Sequence, residues 1–450
     1  MTHTIDASLA GFVAGATGPD IPDEARRIAE RAFVDTVGVT LPGIVDPAGR
    51  TTRAVFASKC GGPASVLGTT DATSVADAAL VNGTAGHALD YDDVTWGVWH
   101  PSVTLVAPIL AVAEREGASG MDAITAFAVG FETQCYLAEA LLPGHYERGW
   151  HATATFGTIG SAAAAVSLLN LDETATRHAL NVAASMPAGL KYNFGTMTKP
   201  LHSGLAARSG VTAALLAAEG FTGADGALGT DRGFCDLYSD NDGPSDVDPA
   251  TLGDPWALVE YGLQVKKYPC CYFTHPGIAA TQHLVATHDI KPADIEQIIV
   301  TASRGAADAL HYSDPSTGLE AKFSMQYVIA SAVARDRVGL AAFEDDAINN
   351  PAVQAVRERV DFEVDPELAY NPYQTMVSIE TTASDRYSHT QDRPPGTPEN
   401  PLSDAELRAK FDAVAAHAPD GIDADRAYDL LDDLRAVEDV QTLVKTLRSV

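Results

Sequence analysis

The 450-residue chain is 46% hydrophobic, long enough to bury the cores of two or three domains, and carries 60 acidic against 30 basic residues, a net charge of −30. No basic stripe is present, which argues against nucleic acid as a partner, and no apolar run reaches the roughly 18–20 residues of a membrane span. The first 22 residues hold no Lys or Arg and no signal-peptide pattern, so a cytoplasmic location is expected.

Asp23-Glu24 open a run in which Ile28, Ala32, Val34 and Val37 recur at helical spacing, predicting a helix over 23–41. Segments 74–89, 103–117, 121–141, 153–169, 173–186 and 203–219 repeat that pattern. They are rich in Ala, which permits close packing, and several end at Gly, as at Gly117 and Gly220. Together they predict a helical domain over 1–267. After Pro269 the texture changes: 297–302 and 375–382 read as strands, with helices near 275–287 and 323–336 and a short strand candidate at 360–364. That predicts a smaller α/β domain over 268–395. Residues 390–402 form a Pro-rich connection, and Ser403-Asp404-Ala405-Glu406 is a capping box that restarts helix. The C-terminal part, 396–450, is expected to return to the helical domain. The expected fold class is mainly α: a large all-helical domain, discontinuous in sequence, plus a smaller α/β domain.

Short polar islands interrupt this Ala-rich chain. His87-Ala88-Leu89-Asp90-Tyr91-Asp92-Asp93 is followed by His100-Pro101-Ser102. Taken singly, Asp92 and Asp93 read as a solvated turn in an acidic protein. His100 stands just before a predicted helix start, where the helix dipole attracts anions and disfavours imidazolium, so a neutral His there can exchange a proton near pH 7. His151, in Gly149-Trp150-His151, precedes another Ala-rich helix in the same way. Lysine is scarce, with nine in the chain, yet Lys191, Lys199, Lys266, Lys267 and Lys322 all lie in or beside islands. An ammonium in a partly dry pocket pairs strongly with a substrate carboxylate. His202 follows Lys199 by three residues, close to one helix face, and Tyr327 lies in Lys322-Phe323-Ser324-Met325-Gln326-Tyr327. The five cysteines contain no Cys-x-x-Cys, so neither a disulfide framework nor a metal site is expected. This inventory suits acid–base chemistry on a small anionic molecule. The dispersed acids and scarce lysines read as adaptation to high salt, where screening relieves self-repulsion.

The order of these islands resembles the MmgE/PrpD family, whose members include 2-methylcitrate dehydratase, cis-aconitate decarboxylase and iminodisuccinate epimerase. The resemblance runs through 87–93, His100-Pro101-Ser102, Gly149-Trp150-His151, Lys199-Pro200-Leu201-His202-Ser203-Gly204 and 219–223. It continues through Lys267-Tyr268-Pro269-Cys270-Cys271, 321–327 and 395–402. It implies a helical large domain, a smaller α/β lid, a homodimer and a cofactor-free site for a di- or tricarboxylate. Site residues of the decarboxylase branch match Asp90, His100, His151, Lys199, Lys266 and Tyr327. Two positions depart: Val94 stands where a threonine is expected, with Thr95 adjacent, and Cys271 stands where a histidine is expected. Both count against the decarboxylase branch.

The leading expectation is therefore a cofactor-independent lyase that dehydrates a citrate-like tricarboxylate. His100 and His151 are expected as the acid–base pair, Asp90 as their tuning partner, and Lys199 and Lys266 as carboxylate holders. Tyr327 and His202 are expected to bind substrate. A decarboxylase and a dicarboxylate epimerase share the same inventory. A carboxylate-binding or scaffold protein on the same fold is the non-enzymatic alternative.

Overall fold

Small residues set how closely the helices of the N-terminal part approach one another. In the computed structural model, which describes residues 5–57, 61–240 and 244–449, the Val75–Ala88 helix starts at Ser74, whose side chain accepts from the Asp77 amide. It packs along the Thr198–Ala218 helix. Their closest approach is at Gly204, where a Cβ would lie 2.2 Å from the Thr84 hydroxyl and 2.3 Å from the Leu80 carbonyl oxygen. Any side chain there forces the two backbones apart. The Thr198–Ala218 helix also packs on Ala152–Leu168, and that helix on Gly120–Leu141 and Pro101–Glu116. Phe33, Phe127, Phe131 and Phe156 fill the core.

The chain divides into two compact units. One comprises Met1–Tyr192, Met197–Val265 and Ser403–Val450; the other comprises Asn193–Thr196 and Lys266–Leu402. In the first unit the Asp404–Ala415 helix begins at the Ser403 capping box and packs on Asp23–Gly43. Gly38 leaves room there for the Phe411 ring, which a Cβ would meet at 2.9 Å.

The second unit carries a four-stranded sheet in the order Val360–Val364, Ile295–Ala302, Gln374–Thr381, Arg386–Asp392. The first pair is parallel and the other two antiparallel. Ile298, Val300, Val377 and Ile379 are buried, and the His275–His288 helix packs on the last two strands. The edge strand Arg386–Asp392 runs into a stretch expected to be a connection. Its sequence Arg-Tyr-Ser-His-Thr-Gln-Asp has no apolar period, because one side faces solvent and its neighbour supplies the pairing. The chain is predominantly α with a small α/β part, as the periodicity implied. Among the described residues no helix is long and apolar enough to cross a membrane.

Candidate active site

The Val75–Ala88 helix ends where Asp90 takes a φ of +51°, a left-handed conformation that Asp tolerates better than most residues. The Asp90 amide donates to the His87 carbonyl at 3.1 Å. The turn then folds Asp92 and Asp93 inward, and both are completely buried. This corrects the expectation of a solvated turn at these two positions, and partners explain it. Asp92 lies 2.9 Å from His87 Nδ1 and 3.0 Å from His100 Nδ1. Asp93 accepts the Ser102 hydroxyl at 2.6 Å.

Two further pieces arrive at helix starts. His100 is the residue before Pro101–Glu116, and His151 the residue before Ala152–Leu168. The His100 amide donates to the Thr153 hydroxyl at 3.2 Å, which stitches these two starts together. Lys199, in the first turn of Thr198–Ala218, donates to Asp90 at 2.6 Å. His100 Nε2 is 3.6 Å from the same Asp90 oxygen. His151 Nδ1 and His202 Nδ1 are 3.1 Å apart, and the His87 ring lies 4.4 Å from His100 and 6.0 Å from His151, centroid to centroid. Four imidazoles, two carboxylates and one ammonium thus form one contiguous cluster. Three helix N-termini beside it add partial positive charge.

Burial disfavours the imidazolium form of His87, His151 and His202. Burial pushes His151 well below its usual range, and His202, Lys199, His87 and His100 add to the shift. His202 is lowered to about 4, again by burial first and then by His87 and Lys199. His87 is lowered chiefly by burial, with Asp92 opposing. Burial alone would raise the Asp92 carboxyl, but the imidazoles of His87 and His100 hold it well below the ordinary carboxylate range. Asp93 goes the other way: burial, with Asp35 nearby, pushes it well up. The arrangement sets His151 and His202, both disfavoured as imidazolium, in one cluster with the Lys199–Asp90 ion pair.

The chain matches the MmgE/PrpD N-terminal domain over residues 7–246 and the MmgE/PrpD C-terminal domain over residues 268–434. The chain belongs to the MmgE/PrpD family. Among its relatives, the cis-aconitate decarboxylase of Homo sapiens is 30% identical over 383 residues, covering 82% of this chain and 79% of that protein. The cis-aconitate decarboxylase of Mus musculus is 28% identical over 463 residues, covering 100% of this chain and 94% of that protein. That of Aspergillus terreus (strain NIH 2624) is 24% identical over 474 residues, covering 98% and 96%.

Of the residues expected at the site, Asp90, His100, His151, Lys199 and His202 meet within the helical unit. Lys266 and Tyr327 belong to the second unit. Lys266 is wholly buried, and the Tyr327 hydroxyl, also buried, donates to the Ala342 carbonyl. Val94 pairs with Gln264 through its backbone, and the Thr95 hydroxyl donates to the Gly262 carbonyl at 2.8 Å. Lys191 donates to the Tyr146 carbonyl at 3.1 Å and sits 3.7 Å over the Tyr146 ring. The sequence alone assigns no role to His87 or Asp92. A His five residues before an Asp, across a helix end, was the only local signal of their pairing.

The sequence has no metal-ligand spacing, yet folding gathers His87, Asp90, Asp92 and His100 with one potential ligand atom each within 4.8 Å of one another. A divalent cation there would stand beside the Lys199 ammonium, 2.6 Å from Asp90, and would compete with the imidazoles for Asp92. The donor set fits a hydrogen-bonded acid–base network better than a cation site.

Proposed function

We propose that this chain is a cofactor-independent carboxy-lyase acting on a cis-aconitate-like tricarboxylate. The carrying observation is the buried Lys199–Asp90 pair set beside His151 and His202, whose imidazolium forms burial disfavours. Dehydration led the expectations drawn from the sequence; the name shared by the relatives supports decarboxylation over it.

The chemistry needs little equipment. The carboxylate on the carbon next to the double bond leaves as carbon dioxide. Its bonding pair forms a new double bond, and the former alkene carbon takes a proton. One proton enters, one carbon dioxide leaves, and a trianion becomes a dianion. The alkene conjugated to a carboxylate accepts the electron pair as it shifts. In this reading Lys199 turns from Asp90 to a substrate carboxylate, and Lys266 serves a second one. The arriving negative charge favours imidazolium, so His100 or His151 takes up a proton and delivers it to the alkene carbon. Asp90 tunes that pair, and His202 shares the proton of His151. For Tyr327 to bind substrate, its hydroxyl must leave the Ala342 carbonyl.

Val94 and Cys271, where the decarboxylase branch is expected to have Thr and His, count against decarboxylation and keep dehydration as the second reading. The homodimer implied by the resemblance and a cytoplasmic location belong to the same proposal, and light scattering tests the dimer. The deciding experiment incubates the protein separately with cis-aconitate, citrate and 2-methylcitrate and follows each by NMR. Carbon dioxide and a five-carbon unsaturated dicarboxylate from cis-aconitate are expected. A new double bond formed from 2-methylcitrate, with cis-aconitate untouched, would move the assignment to dehydration. Binding without turnover of any of them would favour the non-enzymatic alternative.

A further inference from the structure

A second buried charge system lies behind the cluster and comes from the opposite end of the chain. Among the described residues five of the eight lysines are buried: Lys191, Lys199, Lys266, Lys322 and Lys410. Lys410 belongs to none of the polar islands. It stands on the Asp404–Ala415 helix, and its ammonium lies 2.5 Å from Asp35 on the Asp23–Gly43 helix. The same ammonium donates to the Tyr91 carbonyl at 2.8 Å and sits 4.0 Å above the Tyr91 ring.

A buried ion pair gains little stability over an apolar pair of equal volume, so stability alone does not account for it. What an apolar pair could not do is hold a backbone carbonyl. Tyr91 lies between Asp90, which faces Lys199, and Asp92, which lies against His87 and His100. The next residue, Asp93, is tied by the Ser102 hydroxyl to the helix that begins at His100. Ser102 and Lys410 thus add two anchors to the Asp90–Asp93 turn, beside those that Asp90 and Asp92 make themselves. Lys410 holds the backbone carbonyl between the two carboxylates, and its loss removes a restraint on how Asp90 and Asp92 are aimed.

We propose that Lys410, held in place by Asp35, is a positioning residue: it pins the Tyr91 carbonyl so that Asp90 and Asp92 keep their alignment with Lys199, His87 and His100. The proposal uses the decarboxylase reading only for its activity measurement.

The test compares Lys410→Met with the double variant Asp35→Asn/Lys410→Met. Met keeps the apolar stem. The single variant leaves the Asp35 carboxylate buried without its partner and is expected to lower Tm; the double variant removes both charges and is expected to recover it. Both are expected to lose kcat on cis-aconitate, on the order of 10²-fold, with a small change in KM, because misalignment penalises the chemical step. In both, the proton NMR signal of the His87 N–H facing Asp92 should shift or broaden. Recovery of Tm, kcat and the imidazole signal together in the double variant would reduce Lys410 to a structural role and overturn the proposal. If the wild-type protein leaves cis-aconitate unchanged, the decarboxylase reading fails, and the imidazole signal in the double variant alone decides the positioning role.

Discussion

Lys199 and His145 show how differently two buried basic groups work. Lys199→Met deletes the ammonium that pairs with Asp90 and keeps the stem. A substrate carboxylate left without the ammonium in a partly desolvated pocket loses its partner in the transition state, so kcat/KM should fall roughly 10²-fold or more with the helical circular dichroism retained. Lys445→Met, at an exposed position near the C-terminus, is the control and should change nothing. Near wild-type kcat/KM in Lys199→Met would remove the centre of the proposed site. His145 is held by protein partners on both ring nitrogens. Its ring lies between the Tyr238 carbonyl at 3.0 Å and the Thr155 hydroxyl at 2.8 Å, and burial lowers it to about 4 against the raising effect of that carbonyl. Between pH 6.5 and 4 the unfolded chain therefore binds a proton that the folded one refuses, and stability falls as pH drops through that window. Glu132, raised by burial to about 7 despite the amides of Gly253 and Ala257, works in the opposite sense between pH 7 and 4.5. His145→Gln should isolate the first effect. The stability lost between pH 6.5 and 5, read by urea unfolding, should shrink by about 2 kcal/mol relative to wild type. An unchanged loss would mean that His145 is already charged in the folded protein.

At the scale of elements, local physics was legible and partnership was not. Helix starts at Ser74, Ser119 and Ser403 follow from side chains that accept backbone amides within three residues, information the sequence holds locally. The helices over 75–88, 101–116 and 120–141 followed from periodicity and caps, and lay within a few residues of the expected spans. The edge strand 386–392 escaped because its stability comes from its neighbour and leaves no apolar alternation behind. Glycine in mid-helix likewise says little until its neighbour is known. At Gly204 that neighbour is the backbone of the helix that carries His87, so Gly204→Ala should cost about 1–3 kcal/mol from overpacking. It should also lower activity, because Lys199 on one helix and Asp90 after the other must stay 2.6 Å apart. Thermal unfolding and kcat/KM measured on the same variant check both; a wild-type Tm would show that the helices can part without cost.

For the whole molecule, charge is the dominant fact. A net charge of −30 disfavours the compact state unless it is screened, so Tm should rise between low and multimolar potassium chloride. A flat or falling Tm would count against salt adaptation. Activity on cis-aconitate should survive a chelator, because a cation at His87, Asp90, Asp92 and His100 must displace or tolerate the Lys199 ammonium. Loss of activity restored by a divalent metal would convert that network into a metal centre.

The sequence by itself determined the helical class, the change to α/β texture after Pro269, the polar islands and the family they resemble. Each of these rests on residues within a turn or two of one another, or on motifs short enough to be read as units. Only the tertiary structure decided what the islands do to each other. Asp92 looks like a solvated acid until His87 and His100 close on it, and Lys410 looks like one more surface lysine until Asp35 and the Tyr91 carbonyl, 319 positions earlier in the chain, receive it. A buried charge is tolerable only beside its partner, and which residues become partners is fixed by how the helices pack.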